Sequence, residues 1–152
     1  MTIGNLYLEE YDPNDGYHKA VISNLSNDPS LQEFFFDFES YVENTIITGH
    51  LNGINKVYIA KANGDYIGMI IYSSVVGSVE LSYAILPYKR QHGYGYQLLS
   101  AFVDYLFSIR PELEEVKLQI PSTNEASIRT ALSVGFKQVK ESEYKIRKKE
   151  YR

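Results

Sequence analysis

The stretch Ile85-Leu86-Pro87-Tyr88-Lys89-Arg90-Gln91-His92-Gly93-Tyr94-Gly95-Tyr96-Gln97-Leu98-Leu99 decides how this chain folds. It reads as the end of a strand, a tight loop and the start of a helix. Upstream, Val79, Leu81, Tyr83 and Ile85 alternate with Glu80, Ser82 and Ala84, the two-residue period of a strand. Pro87 ends that strand. Downstream, Leu98, Leu99, Phe102, Val103 and Leu106 form one stripe of a helix from about Gly95 to Ile109, closed by Pro111.

The chemistry implied by this segment is phosphate binding. The first N–H groups of a helix lack carbonyl partners and carry partial positive charge. Glycines such as Gly93 and Gly95 let that backbone approach an anion closely. Lys89 and Arg90 add local positive charge. A Rossmann fingerprint would need glycine or alanine where Leu98 stands. A P-loop would need Gly-Lys-Ser/Thr opening the helix, which is absent. A glycine turn with a purely structural role fits the same residues.

Outward from this segment the chain is β-rich. Val57–Ala60 and Ile67–Tyr72 flank Asn63-Gly64-Asp65, a hairpin signal. A second turn near Gly77 leads into the strand at Val79, so three antiparallel strands are expected in a row. Val116, Leu118 and Ile120 alternate with Lys117 and Gln119 and form another strand. Ser122 with Glu125 is a capping box for the next helix, with Asn124 as the alternative cap. Ile128, Ala131 and Leu132 supply that helix's buried face, and Gly135 stops it. Phe136–Val139 and Tyr144–Arg147 make two last strands.

At the start, Ile3–Glu10 reads as a first strand. Asp12-Pro13 and Asp28-Pro29 signal helix starts. Phe34, Phe35, Phe38, Tyr41 and Val42 then share one helical face, the ordinary signature of burial. The order is strand, two helices, three strands, helix, strand, helix, two strands. This is an α/β fold: a mixed, mostly antiparallel sheet of about six to seven strands flanked by about four helices. The strand–helix–strand unit around Gly93 is a right-handed parallel crossover.

Composition narrows the function classes. Residues 1–152 are of normal size for one domain, and 44% apolar content suffices for one core. With no cysteine, disulfides, thiol nucleophiles and thiolate metal sites are excluded. His18, His50 and His92 have no metal-ligand spacing, so no metal is expected. A net charge of -4 argues against nucleic acid and anionic membrane as partners. No apolar run reaches the roughly 20 residues of a membrane span. Nor does the start show a signal peptide, so a cytoplasmic location is expected.

Arg90-x-x-Gly93-x-Gly95 resembles the pyrophosphate loop of the GNAT N-acetyltransferases. Glu80 through Pro87 is similar to the strand that enters it. Asn124-x-x-Ser127-Ile128 followed by Gly135-Phe136 resembles the family's second motif. The likeness covers roughly residues 79 to 139, and the N-terminal half agrees in element order only. It implies one N-acetyltransferase domain over residues 1–152, with acetyl-CoA as co-substrate. Backbone from Gln91 through His92, Gly93, Tyr94, Gly95 and Tyr96, with Arg90, would hold the pyrophosphate. Ile85 would pair with the pantetheine arm, Asn124 would hydrogen-bond it, and Ser127 would lie beside it. A plain helix cap is the other reading of Asn124, and close packing that of Ser127.

The resemblance implies direct transfer of acetyl to a primary amine, with Glu80 as the general base. A solvent-facing strand carboxylate is the alternative for Glu80. Many relatives carry a tyrosine at position 131 to protonate the departing thiolate, whereas this chain has Ala131. Tyr83 and Tyr144 are substitutes to consider. Asn124-x-x-Ser127-Ile128-Arg129 resembles the ribosomal-protein N-terminal acetyltransferase branch. A non-catalytic acyl-CoA-binding or regulatory module is the competing function. The acceptor, small molecule or protein N-terminus, has no readable signature; residues 28 to 53 are expected to wall its site. Nothing decides between monomer and homodimer.

Overall fold

In a computed structural model, residues 1–32, 40–44, 55–75 and 77–151 are described. Eight strands form one sheet in the order β1-β2-β3-β4-β5-β6-β8-β7. They are β1 (Thr2–Ile3), β2 (Leu6–Glu10), β3 (Asn55–Ala62), β4 (Asp65–Val75), β5 (Ser78–Ile85), β6 (Glu115–Gln119), β7 (Lys137–Lys140) and β8 (Glu143–Arg147). The helices are α1 (Gly16–Ser26), α2 (Pro29–Gln32), α3 (Tyr94–Ile109) and α4 (Glu125–Val134), with residues 40–44 also helical. Pairing is antiparallel except between β5 and β6. Of the expected helical face, Phe34, Phe35 and Phe38 lie outside the described residues; Val42 is buried.

The sheet has one strand more than expected, because Ile3–Glu10 is a hairpin and not a single strand. Gly4 has φ 54°, which folds β1 back so that Ile3 faces Leu6. The Asn63-Gly64 turn between β3 and β4 is as expected, both residues having positive φ. Asp12-Pro13 is not a helix cap. Asp12 instead closes a turn onto the Asn14 amide at 2.8 Å, and Asp15 caps α1 through the Tyr17 and His18 amides. For α4 the cap is Asn124, not Ser122. Leu132, expected inside, is 52% exposed; α4 buries Ala131 and half-buries Ile128.

Alternation along β5 divides the core. Val79, Leu81 and Ile85 pack with Leu98, Leu99, Phe102, Val103 and Leu106 of α3 on one face. Ala84 joins Val21, Ile22 and Leu25 of α1, and Ile59, Met69 and Ile71, on the other. Each of those α3 side chains gains about 1.5–3 kcal/mol on burial. Five of them far outweigh the roughly 1 kcal/mol that Gly95 costs a helix. The first turn of α3 can therefore carry glycine for reasons other than helix stability.

Beside β5, strand β4 comes unusually close at Gly68. A Cβ there would stand 2.1 Å from the Ala84 carbonyl oxygen, a backbone atom that cannot swing aside. Gly68→Ala is therefore expected to destabilise the fold by about 1–3 kcal/mol, the usual cost of overpacking. Urea denaturation measures it; an unchanged midpoint would contradict this close approach.

Candidate active site

The site begins where β5 and β6 part. They pair at Ser78↔Glu115, Val79↔Val116, Glu80↔Lys117 and Leu81↔Leu118. Beyond Leu81 no further pair forms, although β5 continues to Ile85. Strand β6 stays paired with β8 to its end, and just past it the Ile120 amide donates to the Ser142 carbonyl at 2.8 Å. Past Leu81 the β5 edge is therefore unpaired, and it forms one wall of a notch between the two strands. The Ala84 carbonyl points at β4, as its contact with Gly68 requires, and the Leu86 amide donates to Ile67. Carbonyls alternate along a strand, so Tyr83 and Ile85 direct their peptide edges the other way, into the notch.

Above the notch, Pro87–Lys89 forms a 3-10 turn and Gln91 has φ 64°. Gly93, φ 79°, is the N-cap of α3. The Gln97 amide makes the first helical bond, to the Gly93 carbonyl at 3.1 Å. Amides of Tyr94, Gly95 and Tyr96 precede it and have no carbonyl one turn back. No side chain caps this end, and its first turn holds no acidic residue. Helices α1 and α4 are both capped by side chains. Gly95 packs against Tyr83: a Cβ there would make an ordinary contact with the Tyr83 ring, at 3.6 Å.

Both loop cations are engaged by carboxylates. Lys89 Nζ lies 3.3 Å from Asp65 Oδ2 at the surface. Arg90 donates from Nη2 to Asp28 Oδ2 at 2.5 Å, from Nη1 to Ser30 Oγ at 3.3 Å, and from Nε to the Ile85 carbonyl at 3.0 Å. Asp28 is 7% exposed. Burial pushes its carboxyl up, but hydrogen bonds from Arg90 and Ser30 outweigh that and hold it below the usual carboxylate value. The positive character of the loop thus resides in backbone amides more than in free side chains. His92 and Tyr96 are exposed, and the His92 ring lies 6.1 Å from that of Tyr94.

Across the notch, Asn124 Oδ1 accepts from the Ser127 amide at 3.3 Å, which leaves the side-chain NH₂ to donate elsewhere. Burial pushes the Tyr83 phenol up, and the side chains of Ser127 and Thr130 on α4 oppose that push. Ala131 is fully buried. Tyr144 is buried in the core opposite Leu118. On the other sheet face stand Glu80 and Ser82, the latter 3.4 Å from the Tyr41 hydroxyl. Glu80 is half-buried, flanked by Ser73 on β4 and Lys117 on β6. Lys117 pairs with Glu115 at 3.8 Å, and among the described residues Glu80 has no ion pair.

The profile of the acetyltransferase (GNAT) domain matches residues 5–137. The chain belongs to the GNAT acetyltransferase family. Its fold is shared with solved acetyltransferases of low sequence identity. A spermidine N-acetyltransferase from Vibrio cholerae, in complex with CoA and spermine, is 18% identical with TM-score 0.75, covering 97% of this chain and 98% of that one. An aminoglycoside acetyltransferase in complex with coenzyme A and kanamycin is 17% identical with TM-score 0.75, covering 96% of each chain. A ribosomal alpha-N-protein acetyltransferase in complex with coenzyme A is 18% identical with TM-score 0.70, covering 94% of each. No curated protein sequence matches the chain.

Within this GNAT domain, the expected residues fall into two groups. Ile85, Arg90, Gln91, His92, Gly93, Tyr94, Gly95 and Tyr96 form one continuous rim, with Asn124 and Ser127 on the helix after β6. Glu80 stands apart, on the opposite face of β5. Sequence reasoning did not find Asp28 as the partner of Arg90, or Thr130 as a partner of Tyr83. Asp28 carried only a helix-start signal, and nothing local joins residues so far apart in the chain.

As the cap of α4, Asn124 is expected to contribute about 0.5–2 kcal/mol, lost in Asn124→Ala and kept in Asn124→Asp. Chemical denaturation of both variants checks this; equal losses would mean that the cap is not what stabilises α4.

Proposed function

We propose that this GNAT acetyltransferase moves acetyl from acetyl-CoA to a primary amine by direct attack, both substrates being held in one complex. The observation that carries the reading is the notch: two peptide edges of β5 with no neighbouring strand lead straight to an uncapped helix N-terminus. The spacing of features suits an elongated ligand with a diphosphate at one end and an amide-bearing arm. Amides from Gln91 to Tyr96 bind the pyrophosphate, with His92 at the rim. The peptide edge of Ile85 takes the arm, and Asn124 donates to it from the NH₂ that capping leaves free. Ser127 borders the arm beside Tyr83.

Bound acetyl-CoA supplies the thioester. Attack by the amine nitrogen on its carbonyl carbon forms the amide bond, breaks the carbon–sulfur bond and releases a thiolate and a proton. A β5 amide facing the notch stabilises the oxyanion that develops. Glu80, half-buried and in no ion pair among the described residues, collects the amine proton, directly or through water. The continuous sheet supports reading residues 1–152 as one domain. The proposed acceptor wall, residues 28 to 53, lies largely outside the described residues. Polyamine, aminoglycoside and protein N-terminus, the acceptor types of the neighbours, all meet the requirement for a primary amine. No helix among the described residues is long and apolar enough to cross a membrane.

Two measurements test this. Gly93→Glu places negative charge at the α3 N-terminus, whereas Gly93→Asn tolerates the positive φ without charge. Calorimetry with CoA is expected to show binding weakened at least about tenfold more by Glu than by Asn, that is about 1.4 kcal/mol. Equal affinities would remove the pyrophosphate assignment.

Glu80→Gln keeps the shape of the side chain and removes its charge. Turnover on an accepted amine is expected to fall by about 10²–10⁴-fold near neutral pH, with CoA affinity unchanged. An aliphatic amine, with a reference pKa near 10.4 for lysine, deprotonates itself as pH rises, so the penalty should shrink in alkali. A flat ratio of wild type to variant across that range would return Glu80 to an ordinary strand residue. Thiol release over an amine panel separates an enzyme from a non-catalytic CoA-binding module.

A further inference from the structure

The arginine of the cofactor loop has its donors turned inward. Three of its N–H groups are committed to protein atoms: Nε to the Ile85 carbonyl, Nη1 to Ser30 and Nη2 to Asp28. Guanidinium has five donors in a rigid plane, so fixing three of them fixes the side chain's orientation. Asp28 is in turn held by Ser30, whose hydroxyl lies 3.0 and 2.9 Å from its two oxygens and whose amide donates at 3.2 Å. Asp28 is also almost fully buried at the start of α2. A charge so buried is retained only against a specific partner, and removing that partner is costly.

The Ile85 contact gives this ion pair a consequence. Ile85 is the last residue of β5, and its carbonyl faces the notch where β6 no longer pairs. Arg90 bridges that carbonyl to Asp28 and Ser30 at the start of α2. We propose that Asp28 is a positioning residue for cofactor binding, acting through Arg90 to set the Ile85 peptide edge and the loop from Arg90 to Gly93. This rests on the reading of that loop as the CoA site. Asp28 itself touches no part of the notch. The ion pair also joins the cofactor loop to α2, the element entering the proposed acceptor wall.

The test is a double-mutant cycle read by CoA calorimetry on the full chain. Asp28→Asn keeps shape and removes charge. Its CoA affinity is expected to fall by on the order of ten- to a hundredfold, as displaced positioning groups do. In an Arg90→Met background the same change should have no further effect, because the path runs through Arg90. Should Arg90→Met fail to fold, Arg90→Lys replaces it, since one ammonium cannot hold the Ile85 carbonyl and Asp28 in the same fork. Wild-type affinity in folded Asp28→Asn overturns the proposal, and so do losses that add independently across the cycle. Absence of CoA binding by the wild-type protein would overturn the cofactor reading and this inference together, whereas an insensitive Asp28→Asn variant leaves that reading standing.

Discussion

Beyond Leu81, Tyr83 and Ile85 of β5 direct peptide edges toward a strand that no longer pairs with them. Leaving a buried backbone group without a partner costs about 1–3 kcal/mol, so each edge needs water, a side chain or a ligand. The protein supplies one such partner itself, Arg90 Nε on the Ile85 carbonyl. The remainder of the edge is what the proposed pantetheine contacts would use. Local geometry keeps the edge turned outward. Gly68 lets β4 approach the Ala84 carbonyl from the other side, which settles the direction of the carbonyls that alternate with it.

The same strand explains why the loop above it works with little free positive charge. Lys89 and Arg90 suggested a cationic phosphate site, but both face carboxylates. The surface pair of Lys89 with Asp65 is worth little. The Arg90–Asp28 pair is buried on the acidic side and organises the chain. What remains for an anion is a set of amides at an uncapped helix end, fixed in direction by Gln91 and Gly93 at positive φ. Such a site discriminates by geometry, because its dipoles point at one place, where flexible lysines would attract anions generally.

Much of the fold was legible because its signals are local. The hairpin at Asn63-Gly64, the stripe of α3 and the alternation of β5 each follow from residues close in sequence. So do the glycine loop and the Asn124 motif, both read from short patterns that proved to lie on the expected elements. The first strand, Ile3–Glu10, was misread as continuous, since Gly4 at positive φ splits it into a hairpin. Leu132 was misread because the packing of α4 turns on Ala131 and Ile128 and leaves one helical neighbour in water. Partnerships across 62 or 47 residues, Asp28 with Arg90 and Tyr83 with Thr130, leave no trace in any local pattern.

A strand with nothing on one side presents three different surfaces at once. Side chains at Tyr83 and Ile85 pack on the face that α3 covers, and those at Glu80 and Ser82 stand on the opposite face, Ser82 beside the Tyr41 hydroxyl. The peptide edge lies between them. On the proposed mechanism this alternation keeps the two substrates apart. The thioester arm would run along the edge on the side of Gly95, Ser127 and Asn124, while the amine would meet Glu80 from the opposite face. Alternation along β5 would then put the groups that hold the acyl donor and the group that deprotonates the acceptor on different sides of the strand. Buried Ala131 supplies no hydroxyl on the donor side, where the Tyr83 side chain of β5 lies toward Ser127 and Thr130 of α4. A Cβ at residue 95 would stand 3.6 Å from the Tyr83 ring, an ordinary contact, so Tyr83 packs directly against the first turn of α3.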